Sequence, residues 1–247
     1  MNNIDNVVSK ILNSFQSVVV KRQGVDQIAT SITVTAEGTE IATKRNWERN
    51  KINSDGHPKL VLVMESPHKD EFDSNNQFLG PAIGTTGDNI EEYIGNVINN
   101  IVDLGIEMHG QYELVLMNAV TFQCSLGFST EYFRDLTFVG IWFDGGRDDF
   151  KNRIQKLNLK SDDIVINCCT KGSHDHFEKT FELGRFNNKM LKELFSNSDI
   201  DYLNKDGLTK LVADALVSCD TEASILKCQH PATWNLSNDS TAVEKYT

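Results

Sequence analysis

A chain of 247 residues suits one domain of ordinary size and can bury a substantial core without disulfide staples. Acidic side chains outnumber basic ones by 35 to 24, and the net charge of -11 argues against a surface built globally for nucleic acid, leaving that role to a local basic stripe. With five cysteines but no C-x-x-C pair, no apolar run near the ~20 residues of a membrane span and no basic-then-apolar leader, the expectation is a soluble, cytoplasmic, monomeric chain with reduced thiols and no membrane partner.

Ile4, Val7, Val8, Ile11, Leu12 and Phe15 fall at helical spacing and predict an amphipathic first helix. Residues 31–36 are rich in β-branched side chains and read as a strand, and the polar stretch 44–57 reads as a connector. From Lys59 the chain changes character. Strands are predicted at 60–64, 113–117, 164–167 and 223–228, alternating with helices near 89–104, 147–157, 187–195 and 208–217. That alternation predicts an α/β fold with a central parallel four-stranded sheet sandwiched by helices. The expected organisation is an extension over 1–57 packed on the core, an α/β domain over 58–235, and a polar tail over 236–247 that frays.

Parallel sheets carry their sites at the carboxyl ends of their strands, and the residues there are unusually polar. The first core strand runs into Glu65, Ser66, Pro67 and His68, the second into Asn118, and the last into His230, Pro231, Ala232, Thr233 and Trp234. A lone strand-end histidine or asparagine is an ordinary structural residue. A carboxylate, an amide and an imidazole at one sheet edge are the convergent polar groups of a pocket.

These residues carry a resemblance. Glu65-Ser66-Pro67 looks like the Gly-Glu-Ala-Pro-Gly motif of one branch of the uracil-DNA glycosylase superfamily. The stretch Gln77-Phe78-Leu79-Gly80-Pro81-Ala82 resembles that branch's Pro-Phe-Val-Gly-Pro-Ala. Leu116-Met117-Asn118-Ala119-Val120 resembles its base-reading strand, Ile164-Val165-Ile166-Asn167 sits where it has its penultimate core strand, and His230-Pro231-Ala232 resembles its closing His-Pro motif. The match runs in order over about residues 59–235.

The resemblance implies a monofunctional glycosylase that flips a pyrimidine out of DNA and hydrolyses its N-glycosidic bond. It implies Glu65 and His230 as catalytic residues, Phe78, Asn118, His68 and Ser66 around the base, and Pro67, Gly80, Pro81, Pro231, Thr233 and Trp234 against DNA, with Trp234 as an inserted wedge. Aromatic stacking is worth ~1–3 kcal/mol per base, and an amide can pair with a base edge through both its donor and its acceptor. Ser66 and His68 depart from the residues that enforce strict uracil specificity, which points to a 5-substituted pyrimidine, with defence against phage DNA as a setting drawn from analogy alone. The N-terminal cysteine pair of the iron–sulfur branch is absent, so neither cofactor nor metal is expected. His174 and His176 lie in a segment, 171–185, that matches nothing in the family. A non-catalytic nucleic-acid- or nucleotide-binding module of the same fold is the alternative. A serine hydrolase using Ser66 is disfavoured by the missing G-x-S-x-G elbow.

Overall fold

A computed structural model describes residues 23–41, 56–124, 130–172 and 197–246. In chain order, β1 (Gln27–Thr35) and β2 (Gly38–Ile41) form a hairpin, followed by β3 (Lys59–Met64), α1 (Thr85–Asp103) and β4 (Gly110–Asn118). Then come α2 (Thr130–Ile141), a π turn (Trp142–Gly146), α3 (Arg147–Lys156), β5 (Ile164–Asn167), α4 (Asn197–Val217), β6 (Ser224–Cys228) and β7 (Val243–Lys245). α4 is interrupted at Gly207, whose φ of 76° lies in the left-handed region.

The sheet order is β2-β1-β4-β3-β5-β6-β7. Its middle is dictated by β3, KLVLVM, which is buried at every position, as a strand covered on both faces must be. β4, β3, β5 and β6 run parallel. Alternation then divides the side chains: Val61, Val63, Val115 and Val165 face one core, while Leu60, Leu62, Leu114 and Leu116 face the other. α1 fills the second core with Ile90, Ile94, Val97, Ile98 and Ile101, a stripe at helical spacing. The first core is closed by Phe138, Phe150, Ile154, Leu208 and Val212 from α2, α3 and α4.

The expected four-stranded parallel sheet is therefore corrected to a mixed sheet of seven strands. β1 pairs antiparallel with β4, and β7 pairs antiparallel with β6, so both flanks of the parallel set are covered. β2 and β7, GTEI and VEK, are short and polar, as edge strands tend to be. Their composition resembles loops, and the sequence pattern missed them for that reason. β1 also starts earlier than expected, because Ala29 and Thr30 are buried along with Ile32 and Val34.

The tail after Trp234 does not fray as expected. Val243, Ser240 and Thr241 are buried, Asn100 donates to the Thr241 carbonyl at 2.9 Å, and Asn167 donates to the Tyr246 hydroxyl at 3.0 Å. The expected helices at 4–15 and 187–195, most of the 44–57 connector, and His174 and His176 lie outside the described residues. Among the described residues no helix is long and apolar enough to cross a membrane.

Candidate functional site

In sequence order the parallel strands read β3, β4, β5, β6, but in space β4 and β5 lie on opposite sides of β3. The order in which strands are added to the sheet reverses there, which opens a crevice at the carboxyl ends of β3 and β5. A cleft of about 400 Å³ occupies that position, and Glu65, Ser66, His68, Arg134, Thr170 and His230 contribute to its wall.

Glu65 is the first residue past β3, and its backbone is held by continued pairing with β4. Ala119 N–H donates to the Met64 carbonyl at 2.7 Å and Val120 N–H to the Glu65 carbonyl at 3.0 Å. The side chain is buried, 4% exposed, and Arg134 Nη1 lies 3.0 Å from Oε1. Thr170 Oγ1 donates to Oε1 at 3.2 Å and itself accepts from Arg134 Nη2 at 3.2 Å. On the other oxygen, His230 Nε2 lies 3.6 Å from Oε2. Burial pushes the Glu65 carboxyl up, but the neighbouring His230 and Arg134 and the amide hydrogen bonds outweigh burial and hold it below its ordinary value.

His230 precedes the short 3-10 turn Pro231–Thr233. The Ala232 amide donates to Nδ1 at 3.2 Å, so in the neutral ring the proton sits on Nε2, the nitrogen facing Glu65. The turn is anchored from α1, where the buried Asn89 donates to the Pro231 carbonyl at 2.9 Å. Thr233 lines the cleft and donates from its hydroxyl to the His230 carbonyl at 2.8 Å.

The opposite wall is built from the loop before α1. The buried Glu71 accepts from the Ala82 amide at 3.2 Å, which pins Gly80, Pro81 and Ala82. Ala82 has φ 54°, a conformation disfavoured for a residue with a Cβ, and Gly84, at φ 84°, serves as the N-cap of α1. Gly80 and Pro81 are buried, and contacts to the cleft come from Ile83, Thr85 and Thr86 beyond them. His68 caps the turn Lys69–Glu71, accepting from the Asp70 amide at 3.4 Å, and is exposed at the cleft rim. The Ser66 side chain hydrogen-bonds the Cys124 thiol, which burial pushes up to about 12.

The expected set is thus brought together only in part. Glu65, Ser66, Pro67, His68, His230 and Thr233 line one cleft. Phe78 does not: its ring packs on Phe72 at a centroid distance of 5.4 Å and lies with Pro67 against Gly24, where an added Cβ would meet Pro67 at 2.8 Å and Phe78 at 3.0 Å. Asn118 is also outside the cleft lining. It pairs in register with Met64, which does line the cleft, and its Oδ1 is buried without a hydrogen-bond partner among the described residues. Pro231 is buried beneath the His230 turn.

Trp234 requires correction. It is 1% exposed, packs in the core covered by α1, and donates from Nε1 to the Gln229 carbonyl at 2.9 Å. A side chain so enclosed is a core residue, not a presented wedge.

Sequence reasoning misses Arg134 and Thr170. Thr170 lies three residues past the end of β5, so extending the search a few positions beyond each strand end finds it. Arg134 sits on α2 in a segment with no local signal of function. Arg153 is missed for the same reason: from α3 it reaches the carbonyls of Asn118 and Ala119 at 3.0 and 2.9 Å and both oxygens of Asp26 at 2.9 and 2.8 Å.

A second cleft of about 560 Å³ adjoins the first and shares Thr170, His230 and Thr233 with it. Among the described residues no group of three or more His, Cys, Asp or Glu is placed to hold a metal ion. No family model matches the chain, and no curated protein and no solved structure is found to be similar to it.

Proposed function

We propose that the chain is a DNA N-glycosylase acting through water on a pyrimidine, with a 5-substituted base favoured over uracil alone. The observation carrying this reading is the Glu65–His230 pair: a buried carboxylate held charged, facing an imidazole whose Nε2 points across 3.6 Å in an open cleft. The separation exceeds a hydrogen bond and leaves the two groups able to act on different parts of one reacting bond. As C1′–N1 breaks, its electron pair leaves on the base, whose oxygen accepts a hydrogen bond from His230. Glu65 offsets the positive charge growing on the sugar and takes a proton from the water that attacks C1′. Asn118 supports the reading as the last residue of β4, in register with Met64, with an Oδ1 that is buried and without a hydrogen-bond partner among the described residues. Phe78 reaches a base only if one extends past Pro67.

The test is incubation with DNAs carrying uracil, 5-hydroxymethylcytosine, glucosylated 5-hydroxymethylcytosine and other modified bases, followed by alkali to reveal abasic sites. Glu65→Gln is expected to lower base release by about 10²–10⁴-fold. Undiminished activity in Glu65→Gln or Asn118→Ala would sink the assignment. Ser66, which departs from the residue the family places there, motivates a second reading, a nucleic-acid- or nucleotide-binding module without turnover. Tight binding to modified DNA with no abasic product over the whole panel would establish it.

A further inference from the structure

The two oxygens of Glu65 are held in unlike ways. Oε1 is tied to Arg134 Nη1 at 3.0 Å and to Thr170 Oγ1 at 3.2 Å, and those two partners are joined to each other at 3.2 Å. The three groups close a ring. Arg134 is fixed in turn by Asp135, which is fully buried and accepts from Nε at 3.0 Å. Oε2 has looser neighbours, the Thr170 amide at 3.4 Å and His230 Nε2 at 3.6 Å. A guanidinium offers its donors in a rigid planar fork, so satisfying Glu65, Thr170 and Asp135 together fixes the carboxylate plane as well as its charge.

We propose that Arg134 and Thr170 are positioning residues that anchor Oε1 and so leave Oε2 as the working oxygen of the site. The proposal rests on reading Glu65 as the functional carboxylate, and it adds a division of labour between its oxygens that the strand-end pattern does not contain. The charged and titratable groups around Glu65 come from each surrounding element. They are Arg134 and Asp135 on α2, His230 after β6, Cys124 after β4, and Cys168 and Cys169 after β5. Burial raises all three thiols, so they stay neutral at ordinary pH and add no competing charge. Arg134 is therefore the permanent cation of the set, since its guanidinium does not deprotonate in proteins.

The experiment combines carboxyl-carbon NMR on protein labelled at glutamate, with the Glu65 signal assigned through Glu65→Gln, and the pH profile of base release. In Arg134→Gln the Glu65 titration and the acid limb of the profile are expected to move together to higher pH. Turnover is expected to fall by roughly 100-fold from misplacement of the carboxylate, with KM within about twofold of wild type. Arg134→Lys keeps the charge but not the fork, so it is expected to leave the Glu65 titration near wild type while turnover still drops. Thr170→Ser is expected to rescue what Thr170→Val loses.

A Glu65 titration unmoved in Arg134→Gln, or moved as far in Arg134→Lys, overturns the proposal. If Arg134→Gln does not fold, Arg134→Lys and Thr170→Val carry the same comparison. Should wild-type protein release no base from any DNA, the glycosylase reading fails while the NMR titration still decides the anchoring. Should Glu65→Gln be inactive and Arg134→Gln keep its full rate and profile, the anchoring fails and the reading stands.

Discussion

Replacing Arg153 by methionine keeps most of its aliphatic bulk and removes every donor. Both oxygens of the largely buried Asp26 lose the guanidinium, at 2.9 and 2.8 Å, and the carboxylate keeps the Asn118 backbone hydrogen bond, while the carbonyls of Asn118 and Ala119 at the end of β4 lose the same donor. Asp149, at 2.8 Å, is more exposed and loses less. Stripping one partner from a buried ion pair costs about 3–5 kcal/mol, and each orphaned carbonyl adds ~1–3 kcal/mol where water cannot reach it. These contributions overlap, because burial raises the Asp26 carboxyl and protonation then relieves part of the unpaired charge. A loss of about 4–5 kcal/mol is expected, a large part of the ~5–15 kcal/mol that keeps a domain folded. Urea unfolding monitored by circular dichroism measures it through the midpoint at constant slope. The double variant Asp26→Asn/Arg153→Met, with no stranded charge, should recover about half of the loss. A single-variant cost below ~1 kcal/mol, or a double variant no more stable than the single, refutes the assignment of Arg153 as the clamp on the end of β4.

Further outcomes are expected along the same lines. Because the folded state holds the Glu65 carboxyl below its ordinary value, the unfolded chain binds that proton more readily. The stability this supplies is present at neutral pH and is lost as pH falls from the ordinary carboxyl range, about 4.3, through the folded value. Urea midpoints over a pH series should show a shallower acid limb in Glu65→Gln, and an identical limb contradicts the ionised state. Trp234→Ala should cost about 3–5 kcal/mol, while Trp234→Phe, losing mainly the bond to Gln229, should cost ~0.5–1.5 kcal/mol and leave DNA affinity unchanged. Reduced affinity in a folded Trp234→Phe protein would return Trp234 to the interface. Val243→Asp should cost at least ~2 kcal/mol by burying a carboxylate at the β6–β7 pair, whereas Glu244→Gln, which cuts a surface pair with Lys227, should cost ~0–1 kcal/mol. Equal effects of the two would argue that β7 does not hold the tail on the sheet.

The interior of this fold was legible because burial leaves a periodic mark. KLVLVM and IVIN are short, continuous, largely β-branched or Leu-rich runs that suit strands covered on both faces, and the spacing of Ile90, Ile94, Val97 and Ile101 marks one helix face. The margins carry no such mark. β7 is held through Val243, with Glu244 and Lys245 facing out, so three residues offer a single buried position from which no period can be read. Trp234 was misread for a related reason: a tryptophan beside a His-Pro turn suits exposure and burial equally until α1 is seen packing over it.

The site divides along the same physical line. Glu65, Asn118 and His230 were visible because each lies at or just past the end of a strand that pattern alone could place. The groups that set their chemistry come from helices on the face opposite α1. Arg134 reaches Glu65 from α2, and Arg153 reaches the Asn118 carbonyl from α3. Nothing in the local sequence announces the contacts to Glu65 and Asn118, which span 69 and 35 positions. A long cationic side chain on an amphipathic helix reads as solvated surface, and only the packed tertiary structure distinguishes one that turns inward. The strand ends thus determine which groups meet at the cleft. Arg134, together with His230 and the amide hydrogen bonds, sets the state in which they meet, because a carboxylate as buried as Glu65 stays charged only where nearby positive charge and donors offset burial. That dependence makes the Arg134 variants a sharper test of the site than further substitution of Glu65 itself, which would remove the carboxylate without revealing what keeps it ionised.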